Sequence, residues 1–273
     1  MNGPTLSPQV FAILSALIEE RTGLHYRLEE SDLLADKLAP RLAERCLDSL
    51  LDYYYFLRYD PAGESEIAQL VEALVVGETF FFRESATLEV VVNGFIPELI
   101  REGVRPRVWC AACATGEEPL TLAMMLDGAG LLERVTIVAS DISARALARA
   151  QAGMFYRRSL RALPAGVVDR WLEPRGDGML VVPRILAAVN WHRVNLIEEH
   201  QVSALGRFEL VLCRNVLIYF SDETTTKVIS SIARTLSPNG RLIVGASESL
   251  LRFDSPYVCE ERAGAFFYRK GTP

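Results

Sequence analysis

After about residue 104 the chain settles into a rhythm that leaves few folds open. Short apolar runs at Arg107–Ala112, Thr136–Ser140, Asn190–Val194, Glu209–Cys213 and Arg241–Gly245 alternate with stretches of helical spacing. Runs so short and so continuously apolar are those of strands buried on both faces, as in a parallel sheet covered by helices. The chain closes on Tyr257–Glu261 and Ala265–Arg269 around Ala263-Gly264, which predicts an antiparallel hairpin at one sheet edge. The predicted fold class is α/β, a mostly parallel, doubly wound sheet with an antiparallel edge strand. Between Phe155 and Asn190 the connection is too long for an ordinary crossover. There, Arg175-Gly176-Asp177-Gly178 followed by Met179-Leu180-Val181-Val182 predicts a small β insertion, at about 160–190.

The first part of the chain reads differently. Ser7-Pro8 is a cap with a first-turn proline, and Val10, Phe11, Leu14, Leu17 and Ile18 follow at helical spacing until Gly23. Ser31-Asp32 opens a second helix with Leu34, Leu38 and Leu42 inward and a kink expected at Pro40; Leu47–Tyr59 and Glu66–Val76 continue the pattern. The expected organisation is a helical domain over 1–78 and an α/β domain over 79–273.

Net charge is −6, unevenly placed: residues 1–78 carry 6 Lys or Arg against 14 Asp or Glu. Phosphate binding needs clustered cations, so a nucleic-acid partner is not expected. The apolar runs are too short or interrupted to cross a bilayer, and no basic segment leads into an apolar one at the N-terminus, so neither membrane insertion nor secretion is expected. Five cysteines at irregular positions read as reduced thiols in a cytoplasmic protein. Cys110 and Cys113 form a C-x-x-C, but the histidines, His25, His192 and His200, are scattered, so no metal site is expected.

In an open parallel sheet, ligands sit where strands end and loops and helix starts converge. The first strand ends in Cys110-Ala111-Ala112-Cys113-Ala114-Thr115-Gly116-Glu117-Glu118-Pro119, whose small residues let a turn pass close to a ligand. The second ends on Asp141, placed either to accept hydrogen bonds from the ribose of an adenosine-containing cofactor or to cap the helix starting near Ser143. Glu78-Thr79-Phe80-Phe81-Phe82-Arg83-Glu84 sets three phenylalanines within a polar, cationic rim, and those rings either pack as core or line a pocket. Phe208–Cys213 runs straight into Arg214-Asn215 and back to Val216-Leu217-Ile218-Tyr219-Phe220. Burying unpaired guanidinium and amide groups is costly, so that polar break reads as site-lining.

Together these segments, with Val194-Asn195-Leu196 and Ser247-Glu248-Ser249, resemble the CheR family of chemotaxis receptor methyltransferases over nearly the whole chain. The resemblance implies a Rossmann-like domain that binds S-adenosylmethionine and releases S-adenosylhomocysteine, a small β insertion and an all-α N-terminal domain. It implies that Thr79 and Arg83 meet the methionine end, Glu117 the turn around the cofactor and Asp141 the ribose. Asn195, Leu196, Asn215 and Val216 would surround the adenine and the sulfur, and Tyr219 would lie on the substrate side, with Arg83 and Tyr219 as catalytic candidates. The implied reaction is esterification of glutamates on the acidic, cytoplasmic helical bundle of chemoreceptors, by an enzyme expected to act as a monomer.

Three departures from the family pattern stand out. Gly77 occupies the place where members often have Asn, so one cofactor hydrogen bond is lost or moved to backbone. Gly245-Ala246-Ser247-Glu248 lacks the histidine of Gly-His-Ser-Glu. The insertion's turn is short, so tethering by a receptor pentapeptide is not expected. Lys37, Arg41 and Arg45, four residues apart, stack on one helix side and form the expected docking face for an acidic bundle, the alternative being an ordinary solvated stripe. Two other functions compete: methyl transfer to a small molecule or another protein residue, and a non-catalytic S-adenosylmethionine-binding interaction module.

Overall fold

The computed structural model describes residues 6–253 and 257–271. The chain divides into two compact units, one reaching to Val76 and including Tyr219–Thr224, the other running from Gly77 to Ile218 and onward from Thr225.

The first unit is built from α1 (Pro8–Thr22), α2 (Ser31–Arg45), α3 (Leu50–Tyr59) and α4 (Gly63–Leu74). Ser7 caps α1 by accepting from the Val10 N–H, and Gly23 ends it in the left-handed region at φ 80°. Pro40 lies inside α2 and is exposed, so the helical bond it cannot donate is missing on the wet side, where water can serve the freed carbonyl. Leu14, Ile18, Leu34, Leu38, Tyr53 and Leu70 are fully buried at the centre of the unit.

Of the stripe Lys37, Arg41 and Arg45, Arg41 is buried against Glu66 of α4, whose side chain is entirely buried, whereas Arg45 remains exposed and Lys37 half-buried. Arg41 Nε and Nη2 donate to the two Glu66 oxygens at 2.8 and 2.9 Å, Arg45 donates at 2.6 Å, and the Tyr53 hydroxyl adds a bond at 2.8 Å. Lys37 Nζ donates to the Leu74 carbonyl at 2.9 Å. A carboxylate removed from water demands cations and donors, and this demand draws Arg41 inward. Burial alone would raise the Glu66 pKa, but the bonds from Arg41, Tyr53 and Arg45 outweigh it and hold the carboxyl below its usual range.

The second unit opens with α5 (Ser85–Val90), which passes through a π-turn at Val91–Phe95 into α6 (Ile96–Arg101). There follow β1 (Arg107–Ala111), α7 (Glu117–Gly128), β2 (Thr136–Asp141), α8 (Ala144–Ala152), β3 (Met154–Phe155), α9 (Val167–Trp171), β4 (Leu172–Arg175), β5 (Gly178–Val181), α10 (Pro183–Leu186) and β6 (Val189–Arg193). The chain continues with α11 (Glu199–Ala204), β7 (Phe208–Cys213), α12 (Asp222–Thr235), β8 (Leu236–Val244), β9 (Tyr257–Arg262) and β10 (Ala265–Lys270).

Seven strands form the main sheet in the order β6-β2-β1-β7-β8-β10-β9. The pairings from β6 to β8 are parallel, and β10 pairs antiparallel with both β8 and β9, as the apolar runs and the closing hairpin predict. The strand order reverses between β1 and β7, so their carboxyl ends flank the switch point at which such sheets take ligands. The insertion is a separate three-stranded sheet in the order β3-β5-β4. Its first strand, Met154–Phe155, lies ahead of the expected start near 160, and Arg175 pairs with Gly178 across the two-residue turn Gly176-Asp177. Among the described residues no helix is long and apolar enough to cross a membrane.

Candidate active site

The site residues of the second unit gather at the carboxyl ends of β1, β2, β6 and β7. The turn after β1 is tight: Ala112 and Ala114 take φ 53° and 47°, and Gly116 takes φ 90°. A Cβ at Gly116 would sit 2.6 Å from the Ala150 Cβ and 2.8 Å from the Trp191 ring, so only glycine fits there. Glu117 opens α7 and is buried; its two carboxylate oxygens accept from the Thr115 hydroxyl at 2.7 Å and the Ser159 hydroxyl at 2.6 Å.

Asp141 at the tip of β2 accepts from the Ala114 N–H at 2.8 Å through one oxygen and from the Ser143 N–H at 2.9 Å through the other. The cap of α8 is Ser143, whose hydroxyl accepts from Ala146, so capping is not the work of Asp141. Asp141 is buried, at 8% exposure. Beyond β6, the Asn195 N–H donates to Gln201 at 2.9 Å, its side-chain oxygen accepts from Ile197, and Leu196 is buried.

The Thr79–Glu84 segment is sewn to the same place. The Phe81 N–H bonds the Ser159 carbonyl, and the Phe82 N–H bonds the Thr121 hydroxyl, which itself donates to the Glu117 carbonyl. Phe81 is core, edge-on to Phe155 at 4.7 Å, whereas Phe80 lies under the Arg161 guanidinium at 3.9 Å. Phe82 and Glu84 take φ 60° and 49°.

Arg214, after β7, ties these pieces together with its side chain 2% exposed. It donates to Glu118 at 2.7 Å, to Glu84 at 2.9 Å and to the Arg83 carbonyl at 3.1 Å. Burial pushes the half-buried Glu118 carboxyl upward despite this partner; in Glu84 burial pulls the same way, but the bond from Arg214 prevails and the carboxyl lies below its usual range. Asn215, at φ 59°, donates its backbone N–H to Glu248 at 2.6 Å, and Glu248 also accepts from Gly245 at 2.7 Å and Ile218 at 3.3 Å. A Cβ at Gly245 would lie 2.6 Å from the Asn215 amide nitrogen, so glycine lets the two loops meet. Val216 follows, half-buried.

Five residues other than glycine thus hold left-handed backbone around one place, at about 1–3 kcal/mol each. Such strain persists only where surrounding bonds over-determine it, and here those bonds come from Glu84, Glu117, Asp141, Arg214 and Glu248. Of these, Arg214's tie to Glu118 and Glu84 and the clamp made by Glu248 are legible only in three dimensions, although both lie in segments the sequence marks out. Arg83 is 31% exposed; its guanidinium donates to the Glu78 carbonyl and lies 3.8 Å from Glu84. Gly77 is exposed, with nothing within 4 Å of the Cβ it lacks. Tyr219 belongs to the segment grouped with the helical unit, and its carbonyl accepts from the His25 N–H at 2.8 Å. Cys110 and Cys113 are buried thiols pushed well up by burial.

A parallel sheet with an antiparallel final pair, small residues after β1 and an acid at the tip of β2 define an S-adenosylmethionine-dependent methyltransferase. Residues 77–263 match the CheR methyltransferase, SAM binding domain, and residues 9–75 the CheR methyltransferase, all-alpha domain. The chain belongs to the CheR methyltransferase family. It is 31% identical to chemotaxis protein methyltransferase 2 of Vibrio cholerae, over 93% of this chain and 90% of that one. It is 32% identical to chemotaxis protein methyltransferase 1 of Pseudomonas aeruginosa, over 95% and 97%. A third relative, the probable biofilm formation methyltransferase WspC of Pseudomonas aeruginosa, is 32% identical over 86% of this chain and 56% of its own length.

Proposed function

We propose that the chain methylates glutamate side chains on the acidic cytoplasmic helical bundle of chemoreceptors, without a pentapeptide tether. What supports the reading, beyond family membership, is the division of labour between two arginines. Arg214 is consumed by Glu84 and Glu118, whereas Arg83 has a partly exposed guanidinium left to hold a carboxylate. The two-residue turn of the insertion supports the absence of a tether.

The cofactor fits the residues present: Gly116 lets the turn after β1 pack closely against Ala150 and Trp191, and Asp141 sets a carboxylate at the tip of β2, where such sheets hold a ribose. Bound S-adenosylmethionine supplies an electrophilic methyl group on a sulfonium. Asp141 would hold the ribose, Asn195 and Leu196 the adenine, Asn215 and Val216 the region of the sulfur, and Thr79 with Arg83 the methionine end. Glu117 shapes the turn through Thr115 and Ser159, and Tyr219 is assigned to the substrate side. A glutamate acceptor is ionised near neutral pH, so the chain needs to position it rather than deprotonate it. Alignment of this kind can contribute about 7–11 kcal/mol. The WspC likeness supports a second reading, in which the same reaction on a related receptor serves an output other than motility.

Asp141→Ala is expected to weaken S-adenosylmethionine binding at least about tenfold, the loss of charge-assisted bonds worth ~1.5–3 kcal/mol. Calorimetry on the folded variant checks it, and unchanged affinity removes Asp141 from the site. At the opposite end, Gly77→Asn meets no steric obstacle and is expected to tighten binding by about two- to tenfold, the ~0.5–1.5 kcal/mol of one net hydrogen bond. Identical affinities for parent and variant would mean that the backbone already serves that contact. Base-labile label from radioactive S-adenosylmethionine in a receptor band tests the reaction itself; its absence with cofactor still bound would favour the non-catalytic module.

A further inference from the structure

Next to the Gly245–Ser249 turn lies a cleft of about 330 Å³ whose apolar walls are Leu217, Ile218, Leu250 and Phe253, with Thr225, Glu248 and Arg252 also lining it. Its size is at the lower end for a ligand pocket. Three observations say what it would take. One part of the wall is aliphatic and aromatic, and Ile218, 55% exposed, is a large apolar side chain left open to solvent. Thr225 is 1% exposed, yet its hydroxyl has no hydrogen-bond partner, an arrangement that costs about 1–3 kcal/mol unless something enters to meet it. And the cleft is locked to the reaction site: the Glu248 carboxylate that accepts from the Asn215 and Gly245 N–H groups through one oxygen accepts from the Ile218 N–H through the other.

We propose that this cleft binds an uncharged, mainly aliphatic side chain of the substrate segment that carries the acceptor glutamate, and so selects which glutamates are methylated. The proposal rests on the protein-glutamate reading above. The two charges of the lining, Glu248 and Arg252, are of opposite sign, and Glu248 is already bonded to three backbone N–H groups, so selection rests on the four apolar side chains: a glutamate with an apolar neighbour in the matching register is taken in preference to one without. Thr225 offers one hydrogen bond to a polar tip on that neighbour, and the apolar wall removes its body from water.

The test uses the full chain and a soluble cytoplasmic fragment of a chemoreceptor. Ser249→Tyr places a ring at the exposed rim, and Ile218→Ala, at an exposed position, removes part of the wall without burying anything new. Both are expected to raise KM for the fragment about tenfold, the scale on which a pocket registers one missing or obstructing methylene-sized group, and to redistribute label among its glutamates by mass spectrometry. The Kd for S-adenosylmethionine, read by calorimetry, is expected to stay with the parent value. Parent-like KM and label distribution in both variants overturn the cleft's role, and so does a parallel loss of cofactor affinity, which would make the cleft part of the cofactor site. A parent enzyme that binds cofactor but labels no glutamate on any receptor fragment overturns instead the reading on which the proposal stands.

Discussion

Glu66→Ala is expected to destabilise the helical unit by about 3–5 kcal/mol, the scale seen when one partner of a buried ion pair is removed. The variant leaves the Arg41 guanidinium, 9% exposed, facing a void, strips Arg45 of its partner and orphans the Tyr53 hydroxyl inside the unit. Replacing Arg41 and Glu66 together by leucine and methionine is expected to be milder than the single change, because the desolvated charges disappear as a pair. Hydrogen exchange of the α2 and α4 amides in the full chain reads both. Equal protection in Glu66→Ala and the parent would show that the network contributes nothing net.

The same network predicts an acid limit. Glu66 has a folded-state pKa below its unfolded value, since the bonds from Arg41, Tyr53 and Arg45 overcome the opposing effect of burial. A carboxyl lowered on folding binds fewer protons in the native state, so its contribution is complete above the unfolded pKa of about 4.3 and fades as pH falls through the folded value. The parent's stability should therefore drop below about pH 4 more steeply than that of a chain in which Arg41 and Glu66 are both apolar.

Spacing of four places Lys37, Arg41 and Arg45 on one side of α2, but periodicity does not say that Arg41 is buried; its partner Glu66, 25 residues further on, decides that. The main sheet was more legible because each strand announces itself by its own apolar run. Even so, β8 begins at Leu236, well before the run at Arg241, because a bulge opposite Phe208–Leu210 absorbs Ser237-Pro238-Asn239. β3 has only two residues and no periodicity to detect. In the site, the marked segments Thr79–Glu84, Thr115–Pro119, Cys213–Ile218 and Ser247–Ser249 do converge, but their mutual bonds span up to 162 residues, as from Ala246 to Glu84, and left-handed backbone at Phe82 and Ala112 carries no residue-type signal.

The Arg214 network gives the other large expected effect. Arg214→Met leaves the largely buried Glu118 without its cation and releases Glu84 and the Arg83 carbonyl, so a loss of about 3–5 kcal/mol is expected in urea unfolding. Stability alone would not distinguish a structural arginine from one that sets the site. Adding Glu118→Met removes the stranded charge and should recover most of the stability, since a buried ion pair exchanged for apolar side chains of similar size is often neutral. It cannot restore the tie between the Thr79–Glu84 turn and the end of β7, 130 residues apart in sequence, and the left-handed turns at Glu84 and Asn215 lose part of what holds them. Methyl transfer by the double variant is therefore expected to stay about 100-fold below the parent, the cost of misplacing reacting groups by about 1 Å, although its unfolding midpoint approaches the parent's. A double variant that regains turnover together with stability would show that Arg214 only balances charge, and that the site's alignment rests on Glu248 and Asp141.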